Sequence, residues 1–332
     1  MKIVVIGGSG HISYALQGIK KNPDSQQLCA FSSGLPGDMT SETAKMLNDE
    51  FKAKHFADWR DMLDEVKPDV AVIATRFDMN AVISLECLKH GINCFTEKTI
   101  AHSMELLDEL EQAANDNNAQ IIGMHGMRYS PDFFAAYEAF QEGAIGKAVM
   151  LYGRKSYHFN SSRPDFYRKR ETYGGTILWV AVHAIDWFSW FSGDISEIYA
   201  TQTVKGNKGY DECEAAAAIS MHFANDAVGT ISADFLRPKN AGSHGDDQVR
   251  IAGEKGIIEV RHGKAILTDN ENQPRELQLK AEGDFFGDFC RSLQGKGHCR
   301  LTMADTFQVS RAGLYARESA DKHKLITIRK NL

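Results

Sequence analysis

The stretch CFTEKTIAHS, residues 94–103, runs from an apolar, strand-like segment straight into the charged pair Glu97 and Lys98. A carboxylate and an amine at a strand end either form a solvated surface pair or stand at the lip of a cofactor site. A second stretch, VVIGGSGHIS (residues 4–13), reads as a degenerate G-x-G-x-x-G turn. Two registers are open. The one that starts at Gly8 keeps Gly8 and Gly10 and puts a small Ser13 in the third place; it is preferred to the one that starts at Gly7, which puts Ser9 second and Ile12 third. The alternative is a tight strand-to-helix turn with no ligand. The backbone N–H groups of Gly8, Ser9, Gly10, His11 and Ile12 at a helix start suit a pyrophosphate. His183 sits in a helix that is apolar nearly all round, where a lone histidine reads first as a satisfied core group. Residues 152–173 mix tyrosines with arginines and lysines, which suits either a polyhydroxylated or anionic ligand or a solvated sheet edge. The remaining histidines show no metal-ligand pairing, so no metal is expected.

The elements around these residues alternate. KIVVI (2–6) is a strand, and Ile12, Ala15, Leu16 and Ile19 recur with helical spacing. Leu28 to Phe31 is a second strand, and DVAVIAT (69–75) a third that is apolar on both faces, as in buried parallel sheets. A helix follows, with Met79, Val82, Ile83 and Cys87 on one face and Gly91 at its end. INCFTEK is the next strand, Ser103 caps a helix carrying Leu106, Leu110, Ala113 and Ala114, and AQIIGMHG closes the series. Repeated βα units imply a doubly wound parallel sheet of the Rossmann kind, with ligands outside the carboxyl ends of its strands. Gly7, Thr75, Lys98 and His125 fall at those ends. The acidic residue expected about 20 positions after the glycine turn is missing. Ser32 and Ser33 stand there and serve either cofactor, so NAD and NADP both remain open.

From about residue 147 long alternating strands take over (148–159, 215–223, 227–236, 247–252, 257–261 and 265–268), joined by turns such as Asn225-Asp226 and His262-Gly263. Helices are expected over 175–191, 284–293 and 302–320, the last with a Thr302…Asp305 capping box. The expected organisation is α/β: a Rossmann domain over 1–124 and an α+β domain with a large, mostly antiparallel open sheet over 125–332. The 332 residues carry a net charge of −6 with 43% apolar and 25% charged residues, an ordinary globular balance. No basic run points to nucleic acid, and no apolar run approaches the roughly 20 residues a bilayer requires. Six cysteines without C-x-x-C spacing read as reduced thiols, and with no signal peptide the expected location is the cytoplasm.

Taken in order, VVIGGSGHI, VIATRFDMN, FTEKT, RYSP (128–131), EGAIGK, RPDFYRKRETYGG, HAID and GEKGIIEV give the chain a resemblance, over its whole length, to the Gfo/Idh/MocA family of sugar and inositol dehydrogenases. The resemblance implies an NAD(P)-dependent oxidoreductase acting on a sugar, polyol or similar hydroxylated molecule, and by analogy a homodimer or homotetramer. It implies Lys98 and His183 as catalytic residues. It places the cofactor against Gly8, Ser9, Gly10, His11, Ile12, Ser32, Ser33, Ala74, Thr75, Arg76, Asn80, Glu97, Lys98 and His125. It places the substrate against Tyr157, Arg163, Trp179 and His183. Two departures bear on the chemistry. The family's EKP is EKT here, with Thr99 for the proline. Its D-x-G-x-H-x-x-D has Trp179 for the first aspartate, where an indole offers a stacking surface and no carboxylate; Asp186 reads as structural. The departures leave two rival expectations, a dinucleotide-binding sensor without net chemistry and a redox-neutral sugar elimination or hydrolysis that retains its NAD.

Overall fold

The computed structural model describes residues 1–159 and 163–328. The chain divides into two compact units, one of Met1–Gly126 with Asp284–Phe307, the other of Met127–Gly283 with Gln308 onward.

The first unit alternates strand and helix: β1 (Lys2–Gly7), α1 (Ser13–Lys21), β2 (Gln27–Ser32), α2 (Ser41–Phe51), β3 (Lys54–His55), α3 (Trp59–Val66), β4 (Val70–Ala74), α4 (Phe77–Lys89), β5 (Asn93–Thr96), α5 (Met104–Asp116) and β6 (Ile121–Gly123). The strands form one sheet in the order β3-β2-β1-β4-β5-β6, and every pairing is parallel. The chain winds outward one way from β1 and the other way from β4, so the direction reverses between those two strands. Val70 to Ala74 are all buried, which accounts for the continuous apolar run. Ile12, Ala15, Leu16 and Ile19 are buried as the helical spacing requires. Ser103 caps α5, its hydroxyl accepting the Leu106 N–H at 3.2 Å. Gly91, at φ +71, follows α4, and the Ile92 N–H returns to the Cys87 carbonyl. The α4 face differs from expectation: Asn80, Ile83, Ser84, Cys87 and Leu88 face inward while Val82 is exposed. Polar Asn80 and Ser84 are taken inside because each finds a hydroxyl partner, which apolar periodicity does not register.

In the second unit come α6 (Pro131–Gln141), β7 (Ala148–His158), α7 (Arg170–Tyr173), a π-helical turn at Ile177–Ala181, α8 (Val182–Ser192), β8 (Ile195–Thr203), β9 (Ala216–Phe223), β10 (Val228–Arg237), β11 (Gly245–Gly253), β12 (Gly256–Arg261), β13 (Lys264–Asp269) and β14 (Arg275–Glu276). Then α9 (Phe285–Leu293) completes the first unit against α1, α10 (Met303–Lys322) follows, and β15 (Ile326–Thr327) closes the second sheet. That sheet has nine strands in the order β14-β13-β12-β11-β7-β10-β9-β8-β15 and is antiparallel except at β7/β10. Within it α8 packs on β7, where a Cβ on Gly153 would lie 3.3 Å from that of Ala184, so the missing side chain lets the helix approach. The reversed pairs Asp226 and His262-Gly263 have positive φ, as the turn residues require. The capping box also forms, with the Asp305 N–H on the Thr302 hydroxyl and the Thr302 N–H on the Asp305 carboxylate.

Candidate functional site

Parallel pairing sets the carboxyl ends of the first sheet in one row. Ile6 is opposite Ser32, Gly7 opposite Ala74, Ile73 opposite Thr96, and Thr96 opposite Gly123. The chain leaving each end therefore brings the glycine turn, Thr75, Glu97-Lys98 and Met124-His125 to one rim of the sheet.

The glycine turn is fastened to its neighbours. Gly7 has φ +83, and a Cβ there would lie 2.2 Å from the Ala74 carbonyl oxygen. Gly10, at φ +60, leaves no room for a Cβ beside the Glu97 carboxylate. The Ser9 hydroxyl donates to the Ala74 and Thr75 carbonyls. The tight turn thus falls one residue earlier than the register preferred from sequence. At Gly8 a Cβ would meet only side chains, those of Met39 and Thr43, so the positive-φ turn residue is Gly7, the start of the register set aside. Two adjacent glycines carried that signal, but only the β4 carbonyl distinguishes them.

Glu97 and Lys98 are not a surface pair: both side chains are within 1% of complete burial. The Glu97 carboxylate accepts the His11 N–H at 2.6 Å and lies 3.0 Å from the His11 Nδ1. Burial raises the carboxyl's pKa, but the charge and hydrogen bonds of His11 and the Lys98 ammonium outweigh it. The group is held below its ordinary range. The Lys98 Nζ is 3.7 Å from the Glu97 Oε1, and the Lys98–Thr99 peptide bond is cis. Asn80 is fully buried; its Oδ1 takes both the N–H and the hydroxyl of Thr75, and its Nδ2 has no partner among the described residues. Arg76 is gripped by Asp78 through Nε and Nη2 at 2.6 and 2.7 Å. Sequence reasoning passed over Asp38, whose carbonyl accepts the Gly8 N–H and whose carboxylate accepts the Arg76 N–H. Ser32 and His125 are buried; Ser33 is half-buried.

These residues fit a dinucleotide. No side chain caps the start of α1, and no acidic residue occupies its first turn. Of the turn's expected donors, the N–H groups of Gly8, Ser9 and His11 are instead taken by the Asp38 carbonyl, the Ala74 carbonyl and the Glu97 carboxylate. It is therefore the positive dipole end of α1 itself that suits a pyrophosphate. The partnerless Asn80 Nδ2 adds a buried donor at the same rim.

In the second unit His183 is buried in the first turn of α8. Trp179 lies in the π-helical turn before it, half-buried in an otherwise buried run. The Val182 N–H reaches back five residues to the Ile177 carbonyl. Single π turns of this kind are frequent where a helix serves a site. Asp186 is engaged structurally: the Arg128 Nε and Nη2 both donate to its Oδ1, at 3.0 and 2.8 Å, with the pair almost wholly buried. Tyr157 stacks near Phe235 and His244 at the end of β7. Arg163 lies with its guanidinium 4.0 Å from the Phe235 ring. The structure thus brings Tyr157 and Arg163 onto the same aromatic ring. No helix among the described residues is long and apolar enough to cross a membrane.

Comparison with known proteins agrees with this geometry. Residues 1–125 match the family model described as oxidoreductase family, NAD-binding Rossmann fold, and residues 133–259 match that of the GFO/IDH/MocA C-terminal domain. A solved structure of a protein from Thermotoga maritima assigned as an oxidoreductase is 38% identical. It superposes with a TM-score of 0.93 over 99% of this chain and 100% of that one. The levoglucosan dehydrogenase of Pseudarthrobacter phenanthrenivorans is 24% identical over 82% of this chain and 83% of its own length. The inositol 2-dehydrogenase of Rubrobacter xylanophilus is 25% identical over 67% of this chain. The chain spans 62% of that relative's length, and 59% of the length of an oxidoreductase of Streptococcus pneumoniae to which it is 24% identical.

Proposed function

This chain belongs to the GFO/IDH/MocA family of NAD-binding oxidoreductases, and from that premise we propose that it is an NAD-linked dehydrogenase of a sugar or polyol. The observation that carries the reading is Lys98: an amine buried at the rim where the glycine turn, Thr75 and Asn80 also end. An alcohol that loses a hydride from its carbon must lose its hydroxyl proton as the carbonyl forms. A desolvated lysine at that rim is suited to polarise the C–O bond and take the proton. Bound NAD supplies the hydride acceptor. Glu97 holds His11 and the glycine turn in place, and the start of α1 offers its positive dipole end to the pyrophosphate. His183 is assigned a hydrogen bond to the substrate hydroxyls, and Trp179 a stacking surface for a sugar ring. Relatives named for levoglucosan and inositol support a neutral or polyhydroxylated ring as the starting point for substrates.

The uncovered face of the second sheet supports a further assignment, a homodimer or homotetramer. Tyr199, Ser220, Thr230, Tyr152 and Arg250 stand opposite one another in a row, exposed or half-exposed. Sedimentation at dilute and concentrated protein tests that assignment.

The enzyme assignment is tested by following the near-ultraviolet absorbance of reduced cofactor with NAD⁺ and NADP⁺ across sugars, polyols and their acids. Reduction with any of them supports it. Trp179 favours a second reading, cofactor retained without net reduction. Tight NAD binding with no reduction, and a product formed at constant absorbance, would replace the first reading by that one.

A further inference from the structure

The end of β7 gathers more positive charge than its carboxylates neutralise. Lys155, 3% exposed, is paired with Asp247 directly across the β7–β11 pairing, Nζ to Oδ1 at 2.7 Å. Burial works against its charge, yet Tyr157 and the Asp247 carboxylate hold the amine above its ordinary pKa. The lysine is therefore charged and matched. Arg163 is charged and unmatched. Its Nη2 donates to the His158 carbonyl at 3.2 Å, and among the described residues its buried Nε has no acceptor and no carboxylate pairs with it. Its neighbours differ: Arg154 and Arg237 share Asp246, Arg168 has Asp165 and Asp211, and Arg170 has Glu214 and Asp321.

Aromatic rings surround the Arg163 guanidinium, Phe235 at 4.0 Å, Tyr167 at 4.9 Å and Phe159 at 5.1 Å. Rings stabilise the charge through its face but leave the in-plane N–H donors unanswered. His158 lies alongside with its Nε2 buried and without a partner among the described residues. The His158 and His244 rings are 5.9 Å apart, and His244 is 5.1 Å from Tyr157. His244 registers the surplus charge. Burial first, then Arg163, His158 and Lys155, hold its pKa below the ordinary imidazole value, with only Asp247 opposing.

We propose that Arg163, backed by Lys155 and flanked by His158 and His244, is an anion subsite that receives a carboxylate or phosphate oxyanion carried by the substrate. The inference rests on the reading of this unit as sugar-binding and narrows it from neutral sugars to sugar acids or sugar phosphates. A planar guanidinium stacked on a ring keeps its edge for two parallel hydrogen bonds to an oxyanion. A neutral ligand could answer donors with hydroxyl oxygens but would leave that half-buried cation without a counter-charge, a state that costs free energy.

The test is calorimetric titration of the NADH-saturated protein with glucose and inositol, with gluconate and glucuronate, and with glucose 6-phosphate, inorganic phosphate and sulfate. At least one organic oxyanion is expected to bind about tenfold or more tightly than its neutral counterpart. Arg163→Gln is expected to erase that difference and Arg163→Lys to keep part of it. The melting temperature and NADH affinity of each variant report whether it is folded. If Arg163→Gln does not fold, the wild-type comparison and Arg163→Lys decide. Which oxyanion wins identifies carboxylate or phosphate. Equal affinity for neutral and anionic ligands, an unchanged preference in Arg163→Gln, or no oxyanion binding at millimolar concentration would overturn the proposal. The dehydrogenase reading fails separately: oxyanion binding without cofactor reduction leaves the subsite standing, and reduction by neutral sugars alone removes the subsite and keeps the enzyme.

Discussion

The carboxylate of Glu97 accepts the backbone N–H of His11 at 2.6 Å and meets that residue's Nδ1 at 3.0 Å, joining the end of β5 to the start of α1. One side chain thereby fixes the spacing between the glycine turn and Lys98. Replacing it by glutamine keeps the volume but removes the charge that both His11 donors address. Hydrogen bonds to charged groups are worth about 1.5–3 kcal/mol each. Glu97→Gln is therefore expected to lower stability by roughly 2 kcal/mol and to weaken NADH binding about tenfold through the displaced turn. Urea unfolding and NADH fluorescence titration measure the two effects. Unchanged affinity alongside lowered stability would confine Glu97 to a structural part.

The same contact has a pH signature. The folded protein holds the Glu97 carboxyl below its ordinary 4.5. Between the depressed folded value and 4.5 the unfolded chain binds the proton more readily, so stability rises with pH there. The contribution is complete above about 4.5 and is lost as pH falls through the folded value. Urea midpoints of wild type and Glu97→Gln are expected to differ by a constant amount near neutrality and to converge on acidification. A difference that stays constant down to acid unfolding removes Glu97 from the acid limb.

For Lys98 the informative substitution is methionine, which keeps the length and the burial and removes the amine. Proton transfer by a positioned side chain contributes about 10²–10⁴ in rate. Lys98→Met is expected to lose turnover by a factor in that range while NADH binds with wild-type affinity. Retained turnover would transfer the proton to another residue and dissolve the role given to Lys98.

Gly7 and Gly8 separate a backbone requirement from a mere vacancy. At Gly7 an alanine meets positive φ and a carbonyl oxygen 2.2 Å from its Cβ. At Gly8 it meets only side chains, Met39 at 3.0 Å and the Thr43 methyl at 3.1 Å, and the flexible Met39 can turn aside. Gly7→Ala is expected to cost about 3 kcal/mol or to prevent folding, and Gly8→Ala about 1 kcal/mol or less. Thermal unfolding of the two variants side by side makes the measurement. The reverse order would restore the tight turn to Gly8.

Much of the first unit was legible because its signals are local. Fully apolar β4, the 3.6-residue spacing of Ile12, Ala15, Leu16 and Ile19, and the caps at Ser103 and Thr302 each lie within a few residues of what they control. Other features depend on distant chain. Whether Gly7 or Gly8 makes the turn is settled by a carbonyl at Ala74, and Asp38 joins the turn through a loop no motif marks. The inward face of α4 depends on Thr75 and Thr96, the hydroxyls that receive Asn80 and Ser84. The strand Ile195–Thr203 escaped notice because its outward positions are polar and it follows an apolar helix without a strong turn signal. At the site, residue types were legible and pairings were not: Lys155 and Arg163 look alike in sequence, and only the fold reveals that Asp247 answers one of them.

Arg128 and Asp186 carry that distinction between type and pairing furthest. They are 58 positions apart, and both are within 2% of complete burial. Asp186 ends the HAID segment and already reads as structural in the sequence; what the sequence does not reveal is its partner, and the geometry makes it the counter-charge of Arg128. Breaking a buried pair leaves an uncompensated charge and costs about 3–5 kcal/mol, while replacing both members by apolar residues of similar volume is often far less harmful. Arg128→Met and Asp186→Leu are each expected to lose that much stability, and the double variant to recover most of it, with a coupling energy of about 2 kcal/mol or more. Urea unfolding of the four proteins closes the cycle. If Asp186 acted on substrate instead, the double variant would regain stability without regaining turnover, whereas a purely structural Asp186 returns both together. Additive losses in the two single variants would break the pairing itself.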